Sequence, residues 1–173
     1  IRNQTEEITK QLGTIFSEVM RNLQSLELDF FKSKIATECI DEVSKGAFLN
    51  LRSLKKLNIN LWGTNINDLS VHRLALNVKN FSGQLEEFTC NLGQTKVTEK
   101  VLIQFFHGMK NLRRFEMSVG NCEFTDSGLK IFIRNALSSM KSLEDLSFQL
   151  EGTKISSSQV LDLFKNLPKS LKK

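Results

Sequence analysis

The side chains best suited to catalysis or metal binding are two histidines, His72 and His107, and three cysteines, Cys39, Cys90 and Cys122. Neither histidine stands at a zinc-ligand spacing from a cysteine or has a second ligand one helical turn away. A cysteine–histidine pair needs a thiol on an open surface, whereas Cys90 falls at a position predicted to lie in the core. Because no nucleophile, base and orienting group can be assembled, we expect no enzymatic activity, no cofactor and no metal.

The glycines do not form a phosphate-binding loop, since neither Gly-x-x-x-x-Gly-Lys nor Gly-x-Gly-x-x-Gly occurs in the chain. Four glycines instead stand eight or nine residues after regularly spaced leucines. At these positions a chain leaving a strand must turn, and glycine adopts a positive φ at little cost. We therefore predict turn glycines at Gly63, Gly93, Gly120 and Gly152.

Composition indicates a soluble globular domain that stays inside the cell. The 173 residues are 40% hydrophobic and 25% charged, with a net charge of +5. No apolar run approaches the roughly 18–20 residues that a membrane helix requires, so we expect no membrane insertion. An odd number of irregularly spaced cysteines is not a disulfide framework. Buried, reduced thiols predict an intracellular protein of the cytoplasm, which is a reducing compartment.

The elements that would position any functional side chain come from an internal repeat. Five segments superpose when they start at Leu23, Leu54, Leu85, Leu112 and Leu143. Each segment carries apolar residues at its start and three, five and seven positions later, as in Leu54, Leu57, Ile59 and Leu61. The spacing of two predicts a strand with one buried face.

A helix is predicted in the second half of each repeat. An apolar residue stands twelve positions after each start, at Ile35, Ile66, Val97, Phe124 and Ile155. A helix N-cap residue type usually follows it. Apolar residues then recur seventeen and twenty positions after the start, as in the pairs Val71 with Leu74 and Leu102 with Phe105. This spacing is typical of the buried side of a helix.

The fourth repeat contains Phe124-Thr125-Asp126-Ser127-Gly128-Leu129. It resembles the Ile-Thr-Asp-x-Gly-Leu stretch of the leucine-rich-repeat superfamily, nearest its long ribonuclease-inhibitor-like and cysteine-containing repeats. The resemblance implies an α/β solenoid of about five full repeats of 27–31 residues. Its members include nuclease inhibitors, ubiquitin-ligase substrate receptors and GTPase activators. Because strands lie about 4.8 Å apart and helices about 8–10 Å, the parallel sheet should curve on a concave side, with helices on the convex side.

A single solenoid domain over residues 1–173 is expected. Residues 1–22 would be the helix of a preceding repeat, and residues 171–173 the start of a following one. We expect the chain to be a fragment of a longer array. The predicted full repeats are 23–53, 54–84, 85–111, 112–142 and 143–170.

The two residues after each repeat start alternate in charge along the chain. They are Gln24-Ser25, Lys55-Lys56, Glu86-Glu87, Arg113-Arg114, Glu144-Asp145 and Lys172-Lys173. Neighbouring strands place these pairs side by side, so opposite charges meet in a cross-strand ladder. A basic stripe for nucleic acid needs like charges in line, and this pattern argues against such a partner.

The concave surface is predicted from the outward positions of the strands and of the turns that follow. Its candidate binding residues are Glu27, Asp29, Phe31, Asn58, Asn60, Trp62, Thr89, Asn91, Glu116, Ser118, Ser147 and Gln149. This set contains acids and no base. Two interpretations stay open: a plain solvated face, or an acidic, hydrogen-bonding groove for a protein partner of neutral or basic character. Phe31 and Trp62 could form an aromatic anchor, or they could fold onto the core instead.

The leading hypothesis is a non-enzymatic protein–protein interaction scaffold that binds through the concave sheet within a larger assembly. The alternative is a substrate-recognition or regulatory subunit of a larger complex, similar to a ubiquitin-ligase receptor or a GTPase activator. A receptor would need an adaptor-binding segment, and an activator an Asn or Arg directed at a nucleotide.

Overall fold

The computed structural model describes residues 11, 21–101 and 108–172. Five strands form one parallel sheet in chain order: β1 Ser25–Asp29, β2 Lys56–Asn60, β3 Glu87–Asn91, β4 Arg114–Ser118 and β5 Asp145–Gln149. The register joins equivalent positions of successive repeats, so that Leu57 lies between Leu26 and Phe88. The predicted α/β class and the parallel sheet are confirmed.

Helical segments follow the strands. Within residues 21–101 and 108–172, the α-helices are α1 Ala36–Gly46, α2 Asp68–Val78, α3 Asp126–Ile131 and α4 Ser157–Lys165. A five-residue π-helix, Phe132–Ala136, continues α3. Short 3-10 turns occupy Ala47–Asn50, Ser82–Gln84, Glu99–Val101 and Leu137–Ser139. The predicted helix over residues 1–22 lies almost wholly outside the described residues, as do Leu102, Phe105 and His107.

Helix caps link each repeat to the next. Asn67, Thr125 and Ser156 cap α2, α3 and α4 by accepting hydrogen bonds from first-turn backbone N–H groups. Asp126, in the first turn of α3, accepts bonds of 2.7 Å from both the backbone N–H and the hydroxyl of Ser156. Asp68 makes the same pair of bonds to Thr98 in the repeat that follows α2. These acids, placed where the helix dipole favours them, therefore also tie neighbouring repeats together.

The core lies between the sheet and the helices. The apolar residues of β2, β3 and β4 are at most 2% exposed, as the repeat pattern predicts. Four rings form a line through the repeats, with centroids 6.1, 5.8 and 5.0 Å apart along Phe88, Phe115, Phe132 and Phe148. The line passes through strand and helical positions of three successive repeats, so these rings pack the sheet against the helical side.

The predicted core position of Ile35 is wrong. Ile35 is 43% exposed, whereas its neighbour Ala36 is fully buried. Helix α1 begins thirteen residues after its repeat start, and α2, α3 and α4 begin fourteen residues after theirs. The earlier start of α1 turns Ala36 toward the core and Ile35 toward solvent.

The turn prediction needs correction at two of the four glycines. Positive φ occurs at the ninth position after the repeat start in every repeat: Lys32, Gly63, Gln94, Asn121 and Gly152. Gly93 and Gly120 stand one position earlier and have no positive φ. A Cβ on Gly93 would lie 2.7 Å from Cδ1 of Trp62, so Gly93 provides room for that ring.

All three cysteines are free and buried, so their predicted burial is confirmed. Burial raises the pKa of the Cys90 thiol to about 12. Burial, with the charge of Glu38 as a smaller cause, also raises the pKa of Cys39. Thiols in this state are protonated near neutral pH and are poor nucleophiles.

Candidate protein-binding face

The strand face, as we call it, consists of the twelve predicted binding residues. Alternation along the strands turns these side chains away from the core. Glu27, Asp29, Phe31, Ser147 and Gln149 are exposed. Asn58, Asn60, Trp62, Thr89, Asn91 and Glu116 are half-buried. Ser118 departs from the prediction because it is buried: its short side chain lies between those of Asn91 and Gln149 on the adjacent strands.

Three of these candidates close the turn at the end of their strand. The side-chain oxygen of Asp29 accepts a hydrogen bond from Phe31 N at 2.8 Å. Asn60 and Asn91 make the same bond to the residue two positions on, to Trp62 N at 3.3 Å and Gly93 N at 3.1 Å. Sequence reasoning missed this role, although an Asp or Asn two residues before a turn is a known signal for it.

The acids at one end of the strand face are bound to amides. Asn58 donates to Glu27 Oε1 at 3.3 Å, and Asn60 donates to Asp29 Oδ1 at 3.1 Å. Each carboxylate is thus oriented by a side chain of the next strand, and both remain exposed to solvent. Oriented, accessible carboxylates can accept further hydrogen bonds from a basic partner group.

Phe31 and Trp62 form an aromatic stack at the exit of β1 and β2. Their rings lie 4.9 Å apart with an interplanar angle of 11°. The ammonium of Lys32 lies 5.5 Å from the Phe31 centroid and 5.1 Å from the Trp62 centroid, which is within cation–π range. Phe31 remains 54% exposed and Trp62 is half-buried, so neither ring folds into the core.

The predicted charge ladder is confirmed along the start of the strands. Lys55 meets Glu86 and Lys56 meets Glu87, both at 2.8 Å. Arg114 bridges Glu87 at 3.4 Å and Asp145 at 3.2 Å. In the parallel row, Glu144 accepts from Arg113 at 2.7 Å and from Lys172 at 2.8 Å. These exposed pairs match each strand to its neighbour in register.

Three carboxyl groups are held in the ionised form by the contacts between repeats. Lys55 lowers the pKa of Glu86, and Lys172 together with Arg113 lowers the pKa of Glu144. The backbone N–H and hydroxyl of Ser156 lower the pKa of Asp126. Lowered pKa values mean that the folded state favours the charged carboxylates more than the unfolded state does.

We expect the protein to lose stability as the pH falls below the ordinary carboxyl values of 4.5 for Glu and 3.8 for Asp. A group with a lowered folded pKa contributes fully above its unfolded pKa, and its contribution disappears as pH falls through the folded pKa. Thermal melts between about pH 5 and pH 2 measure this slope.

The variant Glu144→Gln is the control for that slope. It removes one titrating group and should show a shallower fall in melting temperature over the same pH range. A slope equal to that of the wild type would show that the Glu144 contacts do not contribute.

A second feature lies at the edge where the strands begin and was not predicted. This strand-entry cleft has a volume of about 620 Å³ and is lined by Gln84, Glu86, Asn111, Arg113, Ser142, Glu144, Ser170 and Lys172. Gln84 donates from Nε2 to Leu51 O at 2.8 Å, and Asn111 from Nδ2 to Gly83 O at 2.7 Å. The signal in the sequence is the polar residue that precedes each repeat start.

Two classes of site are absent from the described part of the chain. Residues 11, 21–101 and 108–172 contain no group of three or more His, Cys, Asp or Glu side chains that could hold a metal ion. Over the same residues, no helix has the length and apolar character needed to cross a membrane.

Solved structures provide the comparison with known proteins. The Caenorhabditis elegans tropomodulin C-terminal domain matches with a TM-score of 0.61 and 14% identity, over 92% of this chain and 90% of that one. Leiomodin-1 actin-binding site 2 matches with a TM-score of 0.55 and 13% identity, over 96% of this chain and 87% of that one. No family model and no curated protein sequence matches the chain.

The resemblance to ribonuclease-inhibitor-like and cysteine-containing repeats is wrong, because the similar structures are tropomodulin and leiomodin domains. The eighth repeat position holds Phe31, Trp62, Gly93, Gly120 and Glu151, with no Asn or Cys among them. The turn is closed two positions earlier instead, as in Asp29 and Asn60. At this level of identity the comparisons establish the fold alone: the chain has a leucine-rich-repeat-like α/β fold with one parallel sheet.

Proposed function

We propose that this chain is a non-enzymatic protein-interaction domain. It is a leucine-rich-repeat-like solenoid whose strand face is concave and binds a protein partner within a larger cytoplasmic assembly. The observation that carries this proposal is the Phe31–Trp62 stack, in which Phe31 is exposed, on the same face as the carboxylates of Glu27 and Asp29. Aromatic residues that stay accessible in a fixed arrangement are typical anchors of protein interfaces.

Neighbouring residues of the same chain hold the stack in one arrangement. Gly93 leaves room for the Trp62 ring, Asn60 holds the Trp62 backbone, and Asp29 holds the Phe31 backbone. An anchor that needs little ordering loses little conformational entropy on binding. The exposed part of Phe31 can cover an aliphatic group of the partner, and Glu27 can accept hydrogen bonds from a basic group.

Actin is the first partner to test. The similar leiomodin-1 structure is an actin-binding site, and its fold extends over most of this chain. The acidic strand face calls for a basic or neutral region on whichever protein it contacts. The receptor-like and GTPase-activator-like alternatives stay predictions, because no described contact bears on them.

The test compares actin binding by the wild type with binding by the double variant Phe31→Ala, Trp62→Ala. Loss of a central aromatic anchor costs about 2 kcal/mol or more, which corresponds to roughly 30-fold weaker affinity. Co-sedimentation with filaments and fluorescence titration of monomers measure the two forms of actin separately.

The matched control is the double variant Leu69→Ala, Leu76→Ala. These leucines are 57% and 55% exposed on α2, away from the strand face. Affinity should be unchanged in the control. Equal loss in both variants would argue against the strand face, and no binding by the wild type would exclude actin as the partner.

A further inference from the structure

Basic side chains recur at one position in the loops that lead into the strands. The position is two residues before each repeat start, and its occupants are Arg21, Arg52, Gly83, Lys110, Lys141 and Lys169. The five charged members, here called the basic row, are all exposed. Unlike the charge ladder, this repeat position holds no acidic residue in any of the six places where it occurs.

The backbone places three members of the basic row in the same local conformation. The N–H groups of Arg52, Lys110 and Lys141 each donate to the carbonyl two residues earlier, at 2.8, 2.9 and 3.0 Å. The loop of Lys169 shares a different bond with the loop of Lys141: Leu171 N donates to Pro168 O, as Leu143 N donates to Met140 O. Equivalent loops on successive strands repeat about every 4.8 Å, so the row extends over about 24 Å.

The charges of the basic row are not neutralised within the described residues. The ion pairs there use Lys55, Lys56, Arg73, Arg113, Arg114 and Lys172, and none uses a member of the row. Like charges a few ångströms apart repel one another, and an anionic partner relieves that repulsion. The row therefore presents a positive edge on a protein whose strand face is acidic.

The strand-entry cleft lies next to the basic row and offers hydrogen-bond acceptors. Gln84 and Asn111 line it, and each uses its amide nitrogen to bind a backbone carbonyl. The amide oxygen of each side chain is an acceptor. Peptide N–H groups are donors that suit such acceptors, whereas a phosphate backbone carries only acceptors.

We propose that this edge binds an extended acidic segment of a protein partner. Its carboxylates pair with the basic row, and its backbone N–H groups donate to the amide oxygens of Gln84 and Asn111. A segment of about seven residues at about 3.3 Å per residue spans the row. The cleft lining contains no aromatic side chain, which disfavours nucleic acid, since single strands are bound by stacking platforms. The two acids of the lining, Glu86 and Glu144, are paired with Lys55, Arg113 and Lys172.

The test uses a labelled peptide of alternating glutamate and serine, about seven residues long. Fluorescence anisotropy at low salt measures its affinity for the wild type and for the triple variant Arg52→Glu, Lys110→Glu, Lys141→Glu. We expect at least about 10-fold weaker binding by the variant, equivalent to the 1.4 kcal/mol of a tenfold change in Kd. Both proteins should melt at the same temperature, because all three side chains are exposed.

The matched control is Lys34→Glu, Lys96→Glu, Lys154→Glu. These three exposed lysines lie eleven residues after their repeat starts, at the opposite ends of the strands. The control changes the net charge by the same amount, so its affinity should stay within about 2-fold of the wild type if position matters more than net charge.

Three results would overturn the proposal. The first is an equal loss of peptide affinity in the control variant, which would show that net charge alone explains the effect. The second is no binding of the peptide by the wild type. The third is tighter, row-dependent binding of an oligothymidylate of equal charge, which would assign the edge to nucleic acid. The Phe31→Ala, Trp62→Ala variant should bind the peptide with the affinity of the wild type. The strand-face proposal and the proposal for this edge can therefore fail independently of each other.

Discussion

Replacing Leu57 by aspartate is expected to abolish cooperative unfolding of the chain. Leu57 is 2% exposed in the middle of β2, between Leu26 and Phe88 on the adjacent strands. An unpaired carboxylate at this place costs several kcal/mol, whether it stays charged or takes up a proton. Since whole domains are stable by only about 5–15 kcal/mol, circular dichroism melts should show no sigmoidal transition.

Ser25→Asp is the matched control for Leu57→Asp. Ser25 is exposed on β1 and lies in register with Lys56, so a new carboxylate meets solvent and a cation. Its free energy of unfolding should stay within about 0.5 kcal/mol of the wild type. A cooperative melt retained by Leu57→Asp would contradict the strand register.

Phe132→Ala is expected to lower the free energy of unfolding by about 3–5 kcal/mol. Phe132 is fully buried at the start of the π-helix. Its ring stacks on Phe115 with centroids 5.8 Å apart and meets Phe148 at 5.0 Å, so it joins the fourth repeat to the fifth. Truncation leaves a cavity that the two adjoining rings cannot fill without moving off their rotamers.

Chemical denaturation of Phe132→Ala measures this loss. The control is Phe31→Ala, the same substitution at a ring that is 54% exposed. Its loss should be much smaller, because an exposed ring buries less apolar surface. Similar losses of unfolding free energy in the two variants would show that the line of rings through the core contributes no more to stability than an exposed ring does.

The two proposed surfaces carry opposite charge and lie on different parts of the repeat. The strand face is acidic and aromatic, whereas the strand-entry edge is basic and adjoins a polar cleft. They can therefore engage different regions of one partner or two partners at once. Their variants share no residue, so each surface can be tested without disturbing the other.

The repeating part of the molecule could be read from the sequence. Columns of apolar residues with a spacing of two indicated the strands, and the structure places Leu57, Ile59 and their equivalents in β1, β3 and β4 in the core. Opposite charges at equivalent positions predicted the ladder, because stacking repeats brings residues about 30 positions apart into contact. Each of these features depends only on local periodicity and on regular stacking.

Features that depend on how the side chains of one repeat pack against the next could not be predicted from the sequence and were decided by the tertiary structure. The ninth turn position has positive φ whether it holds Gly63 or Lys32, so glycine content alone misplaced the turn. Ser118 is buried because its side chain is shorter than those of its neighbours on the adjacent strands. Ile35 is exposed because α1 begins one residue earlier in its repeat than the other α-helices do in theirs. Such outcomes are set by side-chain volume and by the phase of a helix against its neighbour.

The two binding surfaces also combine features that the sequence predicts with features that only the tertiary structure decides. Phe31 and Trp62 could be assigned to one column from the sequence, but the space that Gly93 leaves for the Trp62 ring appears only when the repeats stack. The basic row was present in the sequence, at a position upstream of the leucines that define the repeat. Only the stacking of the strands makes it a continuous surface. Parallel strands bring loops that are far apart in the chain to within about 5 Å of one another at one edge.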